Sequence, residues 1–159
     1  MKVDIVDNMV VVDGQQVEFH QSPNVGGTLN PTLIVEHYTG DNSLSGAVSW
    51  LCAPESQVSA HVVVSKDGTI VQLVPFNVVA WHAGRSSYNG RNFVNSFAIG
   101  IENVGVGDEW PDMQVEANRA LIAALFKVYP IENVVGHQDV APGRKSDPGP
   151  NFPWDKVTS

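Results

Sequence analysis

Apolar positions along this chain come mostly in short runs bounded by Gly, Pro, Asn and Asp, with one longer stretch at helical spacing. Residues 9–12 form an apolar run before the turn dipeptide Asp13-Gly14, and 15–19 return as the second half of a hairpin. Residues 24–31 are loop by composition. Residues 33–38 read as a buried strand that ends at Tyr38-Thr39-Gly40. Asp41 or Asn42 is placed to cap a short helix running to about Cys52, which Pro54 stops. The runs 60–65 and 69–74 flank Lys66-Asp67-Gly68, a strong hairpin signal because Asp-Gly tolerates positive φ. Residues 97–104 make another strand. The spacing predicts a helix over 112–129, with Ala117, Leu121, Ala124, Leu125 and Val128 on one stripe, Asp112 capping it and Pro130 closing it. A short strand near Val134-Val135 precedes an irregular stretch through Asp147-Pro148-Gly149-Pro150. Mixed strands, two main helices and long loops predict an α/β fold, a central mixed β-sheet flanked by helices.

Length and composition narrow the class. The 159 residues suit one domain, 1–159, able to bury a core without staples. Hydrophobic residues make up 43% and charged residues 16%, which excludes a disordered chain. The lone cysteine, Cys52, excludes an internal disulfide framework and any Cys-rich zinc module. No apolar run approaches the ~20 residues of a membrane span. Residues 1–7, MKVDIVD, alternate charge with apolar side chains and hold no signal-peptide core, so synthesis is expected in the cytoplasm without encoded export. Seventeen acids against nine bases argue against a nucleic-acid partner, which needs clustered Lys and Arg. The same balance, a net charge of -8, gives no help in adhering to an anionic surface. The expected state is a monomer with no membrane partner.

Five histidines carry the candidate chemistry. His37 lies where a buried strand runs out, and His137 follows Gly136 at the end of another. Asp147 comes ten residues after His137, in a loop stiffened by Pro142, Pro148 and Pro150. Two imidazoles and a carboxylate would leave one zinc position open, as a catalytic site requires. Separate surface or core histidines are the alternative. Lys145 shares the loop of Asp147. Glu102 is a lone acid in the apolar strand AIGIENV, so it must face solvent, pair with a charge, or serve a site. His61, inside an apolar strand, reads as a satisfied core histidine. Trp81 reads equally as a core anchor or a substrate contact.

Four ordered blocks then carry a resemblance: VSAHVVVSKDGTIVQLVP at 58–75, WHAG at 81–84, FAIGIE at 97–102 and GHQDVAPGRKSDPG at 136–149. Over roughly residues 30–155 the chain resembles the zinc-dependent N-acetylmuramoyl-L-alanine amidases of the amidase-2 family. That family includes an AmpD-like branch, phage lysozyme-like amidases and peptidoglycan recognition proteins. The resemblance implies Zn2+ bound by His37, His137 and Asp147. It assigns Glu102 as general base and Lys145 as the cation that stabilises the oxyanion. Phage lysozyme-like members carry a catalytic tyrosine where this chain has Ala60, so the AmpD-like arrangement matches better. The implied reaction is zinc-assisted hydrolysis of the amide between N-acetylmuramic acid and L-alanine, in peptidoglycan or soluble muropeptides. Trp81, His82, Ala83, Gly84, Arg91 and Asn95 are expected to wall the substrate cleft. The resemblance accommodates two roles, muropeptide recycling in the cytoplasm or an endolysin released to the wall by phage lysis. A non-catalytic peptidoglycan-binding module is the alternative, and retention of all five metal and catalytic residues speaks against it.

Overall fold

Residues 3–6, to which the hydropathy pattern assigned no element, are the first strand of the computed structural model, which describes residues 1–159. β1 (Val3–Val6) pairs antiparallel with β2 (Met9–Val12), which turns at Asp13-Gly14 into the short β3 (Gln15–Gln16). Val3 and Ile5 alternate with exposed Asp4 and Val6, so β1 is a strand wet on one face, packed by the other on the main core. The expected hairpin is present, joined by this third strand. Residues 24–31 are not wholly loop. β4 (Val25–Thr28) pairs across the fold with a strand far along the chain, a partner that local composition cannot announce.

β5 (Leu33–Tyr38) is buried over five of its six residues, as its unbroken apolar run predicts. It leads into α1 (Leu44–Leu51), whose cap is Ser43 rather than Asp41 or Asn42. The Ser43 hydroxyl accepts from Gly46 N, and Asp41 instead accepts from Ser43 N in the turn before it. β6 (Val62–Val64) and β7 (Ile70–Gln72) form the predicted hairpin, with Gly68 at φ 88° in its turn. β8 (Val78–Ala80) is the partner of β4. β9 (Ser87–Tyr88) and β10 (Arg91–Asn92) make a small hairpin in the polar loop. β11 (Ala98–Asn103) lies within the predicted strand. α2 (Asp112–Val128) begins one residue beyond its cap, Pro111, so Asp112 sits in the first turn instead of capping. Its stripe is buried at Ala117, Leu121, Ala124 and Leu125, but Val128 is 50% exposed because the last turn runs past the sheet. β12 (Asn133–Gly136), α3 (His137–Val140) and α4 (Trp154–Val157) complete the chain.

The central sheet runs β12-β5-β11-β6-β7, with the first four strands parallel and β7 antiparallel. α2 covers one face, over Ile34, Ile99 and Ile101. α1 and the layer containing Ala83, Val94, Phe97 and Val140 cover the other. Two covered faces explain why these strands read as nearly continuous apolar runs. The exceptions are informative. Glu36 faces α2, where the side-chain amides of Asn103 and Asn118 donate to its Oε1, and burial lifts its carboxyl to about 7. His37, Gly100 and Glu102 face the opposite way. No helix is long and apolar enough to cross a membrane.

Candidate active site

The parallel strands deliver the site to one edge of the sheet. β5 ends just after His37, Glu102 of β11 pairs in register with His37, and His137 follows the last residue of β12. All three therefore emerge at the carboxyl ends of neighbouring strands, where open α/β sheets form ligand clefts. β11 is the third of five strands, so Glu102 is not the exposed acid of an edge strand. Asp147 reaches the same point from the loop after α3, which Gln138 holds: its N–H donates to the Asp147 carbonyl at 2.9 Å, and its side-chain oxygen accepts from Gly149 N at 3.1 Å.

The Nδ1 atoms of His37 and His137 lie 3.1 Å apart, with an Asp147 carboxylate oxygen 3.2 and 3.4 Å from them. Donor bonds of 2.0–2.1 Å to a tetrahedral zinc place ligand atoms about 3.3 Å from one another. The observed triangle has that size. Its protonation points the same way. His137 Nε2 lies 2.9 Å from the Ala83 carbonyl, which can only accept, so Nε2 carries the proton and Nδ1 a lone pair. Two imidazole nitrogens and a carboxylate facing one point at such range suit a positive charge between them. The donor set fits a divalent cation, zinc by its N/O composition.

Glu102 stands beside this triangle, its Oε1 3.9 Å from His37 Nδ1 and its Oε2 buried without a hydrogen-bond partner. Burial pushes its carboxyl well above the usual value, the Asp147 and Glu36 charges add to this, and Lys145 opposes it. An unpartnered carboxylate oxygen in a cleft is free to take a proton from a substrate-side group. Lys145 is exposed, lines the cleft, and enters no ion pair within 4.0 Å. The cleft has a volume of about 560 Å³, with Tyr38 and Thr39 beside the candidate metal donors and Trp50, Leu51, Val58 and Trp81 on its apolar side. Trp50 carries no signal in the sequence, because an apolar residue on a short helix reads as core until the cleft is seen; it is 58% exposed.

The residues expected to wall the cleft divide. Trp81 and His82 line it, whereas Ala83, Gly84, Arg91 and Asn95 do not. Arg91 lies 4.1 Å over the Phe97 ring. The Asn95 side-chain oxygen accepts from the N–H groups of His82 and Ala83, holding that segment in place. His61 is the satisfied core histidine that its strand suggested. Its Nε2 donates to the Val78 carbonyl at 2.8 Å, and its Nδ1 accepts from Gly100 N at 3.0 Å.

A pH effect follows from His61. Burial pushes its imidazole down to about 4, against a hydrogen bond to Val78 that works the other way. The unfolded chain protonates this residue below about 6.5 while the fold resists, so its contribution is complete above that pH and lost as pH falls towards 4. The full swing is roughly 3 kcal/mol at about 1.4 kcal/mol per pH unit. Urea unfolding at pH 7 and pH 4.5 should show a smaller acid loss for His61→Leu than for the unaltered chain, whatever the variant's absolute stability. Equal acid losses would remove His61 as a source.

Fold and site together define an α/β domain with a cluster of three donors, of a size to hold a metal ion, at the carboxyl edge of its sheet. The sequence pattern of the N-acetylmuramoyl-L-alanine amidases matches residues 27–150, and the chain belongs to that family. It is 48% identical over 101 residues to the 1,6-anhydro-N-acetylmuramyl-L-alanine amidase AmpD of Escherichia coli (strain K12), a match covering 62% of this chain and 55% of that one. The chain thus spans about half the length of that curated relative. A crystal structure of a selenomethionine AmpD derivative superposes with a TM-score of 0.85 at 34% identity, covering 96% of both chains. The Escherichia coli amidase AmiD, in complex with the substrate anhydro-N-acetylmuramic acid-L-Ala-D-gamma-Glu-L-Lys, gives a TM-score of 0.75 at 30% identity over 98% of this chain and 64% of that one. The AmpD-like resemblance read from the four sequence blocks is thereby upheld.

Proposed function

We propose that residues 1–159 act as one catalytic domain that hydrolyses the amide between N-acetylmuramic acid and L-alanine, with soluble anhydro-muropeptides as substrate. The observation that carries this reading is the convergence of His37, His137 and Asp147 on one point with Glu102 beside them, at the edge of a 560 Å³ cleft. The names of the AmpD and AmiD relatives support the substrate class. His37, His137 and Asp147 would hold the zinc. When bound, zinc supplies Lewis-acid polarisation of the amide carbonyl and lowers the pKa of water at the open position.

The chain's own residues do the rest. Glu102 takes the proton of the attacking water on its unpartnered oxygen, then delivers it to the departing alanine nitrogen. Its raised proton affinity suits both halves of that exchange. Lys145, free of any ion pair, meets the negative charge that grows on the carbonyl oxygen. Trp50 and Trp81 give the cleft its apolar side, against which sugar or peptide carbons can pack. Incubating the zinc-loaded protein with an anhydro-muropeptide should release a peptide with a free L-alanine N-terminus, and faster than from intact sacculi. Tight binding without release would make the chain a recognition module instead.

Lys145→Ala separates two roles. If Lys145 meets the oxyanion, kcat should fall by ~10²-fold or more, the scale of losing one oxyanion donor, while KM changes little. If Lys145 only tunes Asp147, zinc affinity falls and turnover recovers in excess zinc. Measuring kcat at saturating zinc distinguishes them, and recovery sinks the oxyanion role.

A further inference from the structure

The segment Trp81-His82-Ala83-Gly84 is buried at its two central residues, whose polar groups point at the backs of the proposed metal donors. His82 is 7% exposed. Its Nε2 lies 3.1 Å from the Ala98 carbonyl, which can only accept, so Nε2 holds the ring proton. Its Nδ1 is then an acceptor, 3.0 Å from His37 Nε2. His37 must donate there, and its own Nδ1 is left as a lone pair facing His137 and Asp147. One residue further on, the Ala83 carbonyl accepts from His137 Nε2 and does the same for the second donor. That carbonyl also accepts from Arg144 at 2.7 Å, which ties it to the loop carrying Asp147.

Gly100 shows how tightly His82 is held. A Cβ at this position would overlap the His82 ring, coming within 2.7 Å of its Nδ1. A glycine in the middle of a buried strand, otherwise a weakness, is what lets the ring lie flat against β11. His61 accepts from Gly100 N and fixes the same backbone from the other side.

We propose that His82 and the Ala83 carbonyl are the outer hydrogen-bond partners that set the tautomers of His37 and His137, making His82 a positioning residue for the metal centre. This rests on the reading of His37 and His137 as zinc donors. Outer partners of metal-bound histidines fix ring orientation and raise ligand basicity, and their loss typically costs 10–100-fold in affinity.

Two near-isosteric substitutions test it. His82→Leu and His82→Asn both lose the bond to the Ala98 carbonyl, but the Asn side-chain oxygen can occupy the place of Nδ1. Zinc affinity, measured by competition with a chromophoric chelator, should fall about 10–100-fold in His82→Leu and stay near that of the unaltered chain in His82→Asn. In nitrogen-15 spectra of the zinc-loaded protein, the His37 Nε2 proton should exchange slowly in the unaltered chain and in His82→Asn. It should exchange rapidly in His82→Leu. Gly100→Ala, which displaces the ring without removing a polar group, should weaken zinc binding like His82→Leu. Should His82→Leu fail to fold, His82→Gln takes its place, because its polar group reaches the Nε2 position and leaves none at Nδ1. Full zinc affinity in His82→Leu, or equal weakness in His82→Asn, overturns the proposal. If the unaltered chain binds no zinc, the reading of the donors fails first and this inference with it.

Discussion

Replacing His137 with alanine is expected to leave a folded chain that holds no zinc after dialysis and has lost amidase activity by at least about three orders of magnitude. Two donors, His37 and Asp147, remain, and two ligands do not retain a metal in a site that must keep a position open for reaction. The polarisation lost with the ion is worth several kcal/mol in the transition state, which sets the scale of the rate loss. The fold should survive because little else depends on this ring. The Ala83 carbonyl that accepts from His137 keeps its second donor, Arg144. The backbone N–H groups of Gln138 and Ala141 bond to the Asp147 carbonyl and the His137 carbonyl, neither of which involves the imidazole. Metal analysis beside circular dichroism checks the two halves together. Full zinc occupancy in the folded variant would remove His137 from the donor set.

Glu102→Gln should keep both fold and zinc yet turn over at least ~10²-fold more slowly, since Gln matches the shape of Glu and cannot accept the water's proton. The carboxylate makes no hydrogen bond through Oε2, so the fold loses nothing there. Removing its charge also relieves repulsion from Asp147 and Glu36, so thermal stability should hold or rise. A pH profile sharpens the test. Glu102 works as a base only when ionised, and its raised proton affinity means that activity falls as pH drops through its pKa. The profile of kcat/KM should therefore carry an acidic limb that the variant lacks. Near-normal turnover in Glu102→Gln would assign the proton to another group.

The same residues show how far the sequence reaches. Strands buried on both faces announce themselves, because nothing polar can be tolerated at most of their positions. Residues 33–38 and 97–104 were legible for that reason, as was α2 from its repeating stripe. The exceptions within those strands, His37 and Glu102, stood out against the apolar background. The Asp-Gly turn at 67–68 needed only its local φ. What the sequence left open depended on partners far along the chain. β4 exists because β8 lies beside it, some fifty residues away, and β1 because α2 offers it a core to cover. His82 lines the cleft, as its neighbours in WHAG suggested, but only its packing against Gly100 and His37 shows where its ring nitrogens are directed. On its own, then, the sequence determined the α/β class, the buried strands, the long helix and the residue types of the proposed metal and acid–base site, since these rest on burial period and side-chain chemistry. The tertiary structure decided that five such residues from three strand ends and one loop meet, which nitrogen of each histidine faces inward, and what holds it there. Those depend on strand order and register, which bring residues a hundred apart within 3.1 Å.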